Sequence, residues 1–483
     1  MAKVVVIGAG IAGLVASIEL LNKNHEVTLI EKNNMVGGLC SGYFLNNTYV
    51  DCCLHWLMGT KEGNSINDIW KETGALGEDI KIISLPTLGS YEYQGATITF
   101  YRDLDKAEEE WKKISPIDEK AIHKFFNAVR HVGSLMDLVL SKKIKGNIKA
   151  IDLIKSLPDS KHIIKSMKQS REEYSKNFIS PAIQFAIKNC QTGYNNMFFF
   201  FDLYGIFSKG NADIPEGGAF YMTQRMQEKF ISLGGKLLLS ETVKEILIKD
   251  KLAYAVKTEN KTFDCDYVIS TVDPYYTLNE LLKKNYKIKL FNKLKDNIES
   301  NPVSSCFNVF LSINEDLSDI EAPTGLNITP IRVGKLKTDF MIVRPYYYDQ
   351  NHFIINGKTV VSLFVDQNQD DYEYFNSLSK DEYKEETSRI INDMINALIS
   401  RYPKLKGKIE YLMSIDPIKI GNYTNTSYGS FQSFSFTNKS SFYSYNGKIK
   451  DLPNVFLAGQ WCRSIGGTPT ALLSACSVIK NIK

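Results

Sequence analysis

No C-x-x-C pair occurs among the eight cysteines, which lie at 40, 52, 53, 190, 265, 306, 462 and 476. Such scatter provides neither metal-ligand spacing nor a disulfide framework, so no metal site is expected. In a chain of 483 residues it reads as free thiols in a reducing compartment. Charge of one sign is also lacking. The 58 Lys and Arg against 54 Asp and Glu leave a net charge of +4, too little to imply nucleic-acid binding. Beyond the amino terminus, no stretch reaches the roughly 18 uncharged apolar residues that a spanning helix needs. The amino-terminal run, MAKVVVIGAGIAGLVASIELL, has the look of a leader, but Glu19 interrupts it and a glycine motif explains it more specifically. A cytoplasmic protein is expected. Internal repeats, low-complexity tracts and Ser-His-Asp spacing are absent too.

What the chain has in quantity is apolar and aromatic surface. Hydrophobic residues make up 43% and charged residues 23%, as in an ordinary folded protein, and the length suits roughly two or three domains. The 26 Tyr, 26 Phe and 4 Trp fit either a large core or the walls of an apolar substrate tunnel.

The run KVVVI (Lys3 to Ile7) is β-branched, as a buried parallel strand requires. It leads into GAGIAG, with Gly8, Gly10 and Gly13 in G-x-G-x-x-G register around Ile11 and Ala12. LVASIELLNKN follows with helical apolar spacing, and EVTLIEK reads as a second strand ending at Glu31 and Lys32. The three glycines serve different ends. Gly8 makes the tight turn, Gly10 admits a pyrophosphate, and Gly13 lets the helix lie close to the strand. The helix amino terminus stabilises phosphate charge, and Glu31 can accept hydrogen bonds from ribose hydroxyls. Strand, glycine loop, helix, second strand and terminal acid all fall within the first 31 residues, which predicts a dinucleotide site.

Six residues beyond Glu31 stands Gly37-Gly38, in EKNNMVGGLCSGY. This stretch resembles the E-x-x-x-x-x-G-G signature of the glutathione-reductase-like FAD oxidoreductases, which include amine oxidases and phytoene desaturases. Leu39 occupies the place where that family often has a basic residue. IPEGGAFYMTQRMQEKFISLGGKLLLSETVKEILIKDK resembles the family's P-x-G-G turn, helix and T-x-V-x-x-I strand, in which the Val243 backbone would meet the adenine. CDYVISTVDPY resembles the strand that ends in "STDP", bringing Thr271 and Asp273 to the cofactor. LPNVFLAGQWCRSIGGTPTALLSACSVI resembles the closing FAD segment, with Gly459 and Gln460 after its strand and Gly467, Thr468 and Pro469 opening a helix toward the flavin. The Gln460-Trp461 variant and DPIKIGNYTNTSYGSFQSF are closest to the phytoene-desaturase, carotenoid-isomerase and retinol-saturase branch.

The resemblance implies an α/β fold: a discontinuous Rossmann FAD domain over 1–75, 205–290 and 435–483, a mixed-sheet substrate domain over 76–117 and 291–434, and a helical insertion over 118–204. IISLPTLGSYEYQGATITFYRD reads as a hairpin about Gln94-Gly95, and FNVFLSI and KTVVSLFV read as further strands. In the insertion, Lys142, Lys143, Lys145 and Lys149 follow an amphipathic helix. Such a stretch either docks peripherally on an anionic membrane or is a solvated linker. Phe198 to Phe201 point around a whole helix turn, into core, cavity or both.

No second G-x-G-x-x-G follows a strand, so a dedicated nicotinamide domain is not expected, and electrons would pass to or from oxygen, a quinone or another carrier. By resemblance, the activity is FAD-dependent desaturation or saturation of a C–C bond in a long apolar, polyene-like molecule. Two alternatives stand beside it: an amine-type oxidase, for which Cys462 would be a flavin-linking candidate, and a redox-neutral isomerase using reduced flavin. In VDCCLHWLMGT, His55 and Trp56 align with the family segment that faces the flavin ring. His55 is expected to titrate near neutral pH and to move a proton, Trp56 to form an aromatic wall, and Cys52 and Cys53 to be bystanders.

Overall fold

Alternation along the first strand determines the central layer. The computed structural model describes residues 1–45, 48–140, 155, 157–158, 160–190, 195–355 and 357–483. Val4 and Val6 of strand Lys3–Ile7 enter a core with helices Ile11–Asn22 and Thr468–Val478, whereas Val5 and Ile7 enter a second core beneath the three-stranded sheet of Val243–Lys249, Leu252–Thr258 and Thr262–Asp264. A strand covered on both faces must be apolar at every position, which is why this one reads as an unbroken β-branched run. The six-stranded sheet around it runs Lys236–Leu238, Glu26–Ile30, Lys3–Ile7, Tyr267–Ser270, Leu452–Leu457, Lys448–Ile449. The first five strands are parallel, drawn from both ends and the middle of the chain, and the last is antiparallel. The carboxyl ends of parallel strands converge on one edge, where a ligand crevice is expected.

A second, eight-stranded sheet is mixed. Its principal order is Ile409–Ile415, Ser305–Ile313, Lys358–Gln367, Leu336–Pro345, Thr324–Val333, Thr87–Tyr93, Ala96–Tyr101, with the Gln94-Gly95 turn closing the expected hairpin. Thr324–Val333 and Thr87–Tyr93 pair in parallel and the rest are antiparallel. Period-two alternation again assigns faces. Phe307, Val309, Leu311 and Ile313 pack with Ile390 and Met394 of helix Lys380–Arg401. Cys306 and Asn308, with Phe364 and Asp366 from the paired strand, line a cavity on the opposite face.

The insertion is mostly helical over its described residues, including Glu119–Leu140, Arg171–Ser175 and Pro181–Asn189, and leads into Met197–Ser208. The four lysines 142, 143, 145 and 149 lie outside the described residues. Phe200 and Phe201 are fully buried among Phe125, Tyr174 and their neighbours, so they serve the core, and Phe199 also reaches the cavity. Helices Glu119–Leu140 and Met197–Ser208 cross where Gly133 meets Gly205: a Cβ on Gly133 would lie 2.6 Å from the Gly205 Cα. Gly133→Leu is therefore expected to force the pair apart at a cost of about 1–3 kcal/mol or more, read as a lower thermal midpoint. Among the described residues no helix is long and apolar enough to cross a membrane.

Candidate active site

A cavity of about 540 Å³ runs from the edge of the parallel sheet to the inner face of the second sheet. Its volume falls within the range of small-molecule and cofactor sites. One end is built from backbone. The Gly8 amide donates to Ile30 O (2.8 Å) and the Gly37 amide to Ala9 O (2.8 Å), which draws the first glycine loop against Gly37-Gly38. Two glycines of the motif are explained differently. A Cβ on Gly13 would lie 1.9 Å from Gly8 O, so the protein's own packing demands that glycine. A Cβ on Gly10 would come no nearer to any protein atom than 3.8 Å, and its φ of −72° suits any residue. The space it would fill is the cavity, as expected of a loop that admits a pyrophosphate, and the residues present fit a dinucleotide there.

Glu31 is buried, and its two oxygens accept the Ala9 amide (2.8 Å) and the Asn33 amide (2.9 Å). Burial raises its carboxyl above the ordinary value, against the pull of those amides. Lys32 borders the cavity, but its ammonium is held by Asn422 O (2.8 Å) and the Asn425 side chain (2.7 Å), and burial lowers its pKa. Thr271 acts behind the loop: its hydroxyl reaches Ile7 O and Gly8 O, both at 2.9 Å. Asp273, expected at the cofactor, lines the cavity with its carboxylate already engaged. One oxygen caps Tyr275 (2.7 Å) and Tyr276 (3.3 Å), and the other accepts the Ser427 amide (2.7 Å), tying the 274–276 turn to the segment after helix Pro417–Thr424. Val243, Ile11, Ala12, Leu39 and Gly459 complete this end.

Gln460 holds the closing turn. Its side-chain oxygen accepts the Gly467 amide (2.9 Å) and its amide donates to Phe431 O (3.2 Å). Gly467 caps helix Thr468–Val478, whose first residues, Thr468 and Pro469, border the cavity. The positive end of that helix dipole thus faces the cavity. Cys462, the expected flavin-linking candidate, is buried in the core beneath the three-stranded sheet and donates to Leu457 O (3.6 Å); it is not among the lining residues.

The other end is largely aromatic and aliphatic. His55, Trp56, Met58, Phe199, Leu203, Phe364 and Phe431 line it. Asp51 fixes the turn that presents His55 and Trp56: its carboxylate accepts the Cys53 (2.8 Å), Leu54 (2.9 Å) and Ala219 (2.9 Å) amides, and burial raises its pKa to about 6. The rings of His55 and Trp56 lie 5.8 Å apart, and Phe364 meets His55 edge-on at 6.2 Å. The expectation that His55 titrates near neutrality does not hold. Burial and the Arg344 guanidinium hold its pKa well below 6.5, so its resting form is the neutral imidazole. Cys52 and Cys53 form no disulfide.

Of the residues expected from sequence, Gly8, Gly10, Glu31, Gly37-Gly38, Val243, Thr271, Asp273, Gln460, the 467–469 turn, His55 and Trp56 all border this one cavity. Sequence reasoning missed Asn308 and Asp366, which alternate with core residues along their strands, and Asp202, a lone acid in MFFFFDLYGIF. For Asp202 the signal was present: a carboxylate in so apolar a helix needs a reason.

Comparisons with known proteins agree with this geometry. The chain is 22% identical over 485 residues to the inactive all-trans-retinol 13,14-reductase of Danio rerio, covering 86% of this chain and 75% of that one. It is 23% identical over 437 residues to prolycopene isomerase 1, chloroplastic, of an Oncidium hybrid cultivar, covering 84% and 70%. Among solved structures, putrescine oxidase bound to putrescine superposes with a TM-score of 0.59 at 13% identity over 100% of this chain and 98% of that one, a likeness of fold. Residues 11–482 match the family described as flavin-containing amine oxidoreductase. The chain belongs to that family and is an FAD-dependent oxidoreductase.

Proposed function

We propose that the protein desaturates or saturates a C–C bond of a long apolar, polyene-like substrate. The observation that carries this reading is the cavity itself, in which a backbone-built dinucleotide end opens into a chamber walled by Trp56, Met58, Phe199, Leu203, Phe364 and Phe431. The two relatives named for retinol and prolycopene support an apolar polyene. When bound, FAD supplies the hydride acceptor or donor. The side chains then have limited roles. Aromatic walls orient a substrate that has few polar handles and exclude water from it. Amides at the start of helix Thr468–Val478 stabilise negative charge that develops beside them. Desaturation also frees one proton from a substrate carbon, and the neutral imidazole of His55 is the group proposed to take it. In this reading residues 1–75, 205–290 and 435–483 hold the cofactor, 76–117 and 291–434 cover the substrate, and 118–204 close the apolar end.

The test is anaerobic mixing of the oxidised holoenzyme with a polyene. Bleaching of the oxidised flavin, with a product two hydrogens poorer, supports desaturation; oxidation of pre-reduced flavin with a product two hydrogens richer supports saturation. The prolycopene isomerase relative favours one second reading, a redox-neutral isomerisation. In that case the flavin must be reduced beforehand and stays reduced while the product keeps its mass.

A further inference from the structure

One carboxyl in the cavity wall has no part in the chemistry above. Asp202 is the single charged residue of helix Met197–Ser208. That helix turns Phe199, Asp202 and Leu203 to the cavity, the i, i+3, i+4 positions of one face. Asp202 is half-buried, and its Oδ1 is closed off from solvent with no hydrogen-bond partner. An acid kept in such surroundings, without a partner from the protein, is costly unless something else supplies the missing bond.

We propose that Asp202 anchors the substrate, and that the substrate is an apolar chain bearing a hydroxyl group whose O–H donates to the Asp202 carboxylate. This inference rests on the apolar-substrate reading and names the one polar feature the substrate would carry. Three alternatives for that feature fit less well. A substrate carboxylate would meet like charge. A bare hydrocarbon would leave the orphaned oxygen unpaired. A primary ammonium would bring three donors to a helix face whose other members are Phe199 and Leu203. A hydroxyl suits either protonation state, donating to the carboxylate and accepting from the acid. Both states matter, because burial raises the Asp202 carboxyl to about 7, with no neighbouring charge contributing.

The test uses the FAD-bound enzyme and three simple probes, octanol, its methyl ether and octylamine, titrated while the flavin spectrum reports binding. Above pH about 7, where the carboxylate prevails, octanol should bind about tenfold more tightly than the ether, although the ether is the more apolar of the two. Asp202→Leu should erase that preference while the ether binds as before or better, and Asp202→Asn, which keeps an acceptor oxygen, should retain part of it. A purely structural role for Asp202 would move both probes together. Equal binding of octanol and ether by the unaltered enzyme overturns the proposal even if the variants fail to fold. A preference that persists in Asp202→Leu overturns it as well, and tighter binding of octylamine than octanol replaces it with a cation site. Turnover of a polyene without any octanol preference removes the anchor but leaves the function standing, whereas an octanol preference without polyene turnover does the reverse.

Discussion

Replacing Gly10 by valine is expected to yield a folded protein that no longer holds FAD. The Gly10 backbone, at φ −72° and ψ −177°, lies in the extended region that β-branched residues prefer, and a Cβ there would meet no protein atom within 3.8 Å. The backbone conformation and the room at the Cβ position both admit a side chain there. The added methyl groups would instead stand in the space assigned to the pyrophosphate and separate it from the loop amides. Affinity for FAD should fall at least about a hundredfold, equivalent to about 3 kcal/mol. Flavin absorbance per mole of protein after reconstitution measures this, with a thermal melt of the cofactor-free protein as the companion reading. Gly13→Ala should do the opposite. Its Cβ would lie 1.9 Å from Gly8 O, so the fold suffers before any ligand is offered. Full flavin occupancy in Gly10→Val would mean that the phosphates lie elsewhere.

The second large effect is expected at His55. His55→Ala should keep FAD and lower turnover by about 10²–10⁴-fold, the usual contribution of a positioned proton-transfer group. The pH profile adds a sharper reading. Burial and Arg344 hold the His55 pKa well below 6.5, so the neutral base is already present throughout the physiological range. His55 should therefore add no limb of its own near its ordinary pKa, and its protonation should lower the rate only in more acidic buffer, whereas limbs from Asp51 and Asp202 are assigned through their own variants. A rate in His55→Ala equal to wild type would leave the residue a packing role beside Trp56 and Phe364.

Those two residues also mark where the sequence was legible and where it was not. The loop around Gly10 could be read because its parts are local: strand, glycines, helix and acid follow one another within 31 residues, and each spacing has a steric meaning. His55 could be placed by resemblance, but its protonation could not, because the burial that chiefly depresses it and the Arg344 that adds to it are both set by distant parts of the chain. Asp273 shows the converse limit. It was expected at the cofactor because of where it falls in its motif and it does line the cavity, but the motif carries no sign of the three backbone amides, one of them at Ser427, that hold its carboxylate. Asn308 and Asp366 stayed hidden for a third reason. Alternation indicates that neighbouring side chains in a strand point to opposite faces, but only the packing of the second sheet decides which face meets a helix and which meets the cavity.

The order of strands in the parallel sheet has a consequence for how the protein is made. Tyr267–Ser270 is hydrogen-bonded on one side to Lys3–Ile7 and on the other to Leu452–Leu457. On a ribosome adding about 5–20 residues per second, its second edge waits on the order of ten seconds or more for a partner. Through that interval the half-built sheet carries an unpaired edge, and the Thr468–Val478 helix whose start borders the cavity does not yet exist. Completion of the cavity edge thus waits on synthesis of residues 452–478, and until then the unpaired edge of Tyr267–Ser270 is open to association with other chains.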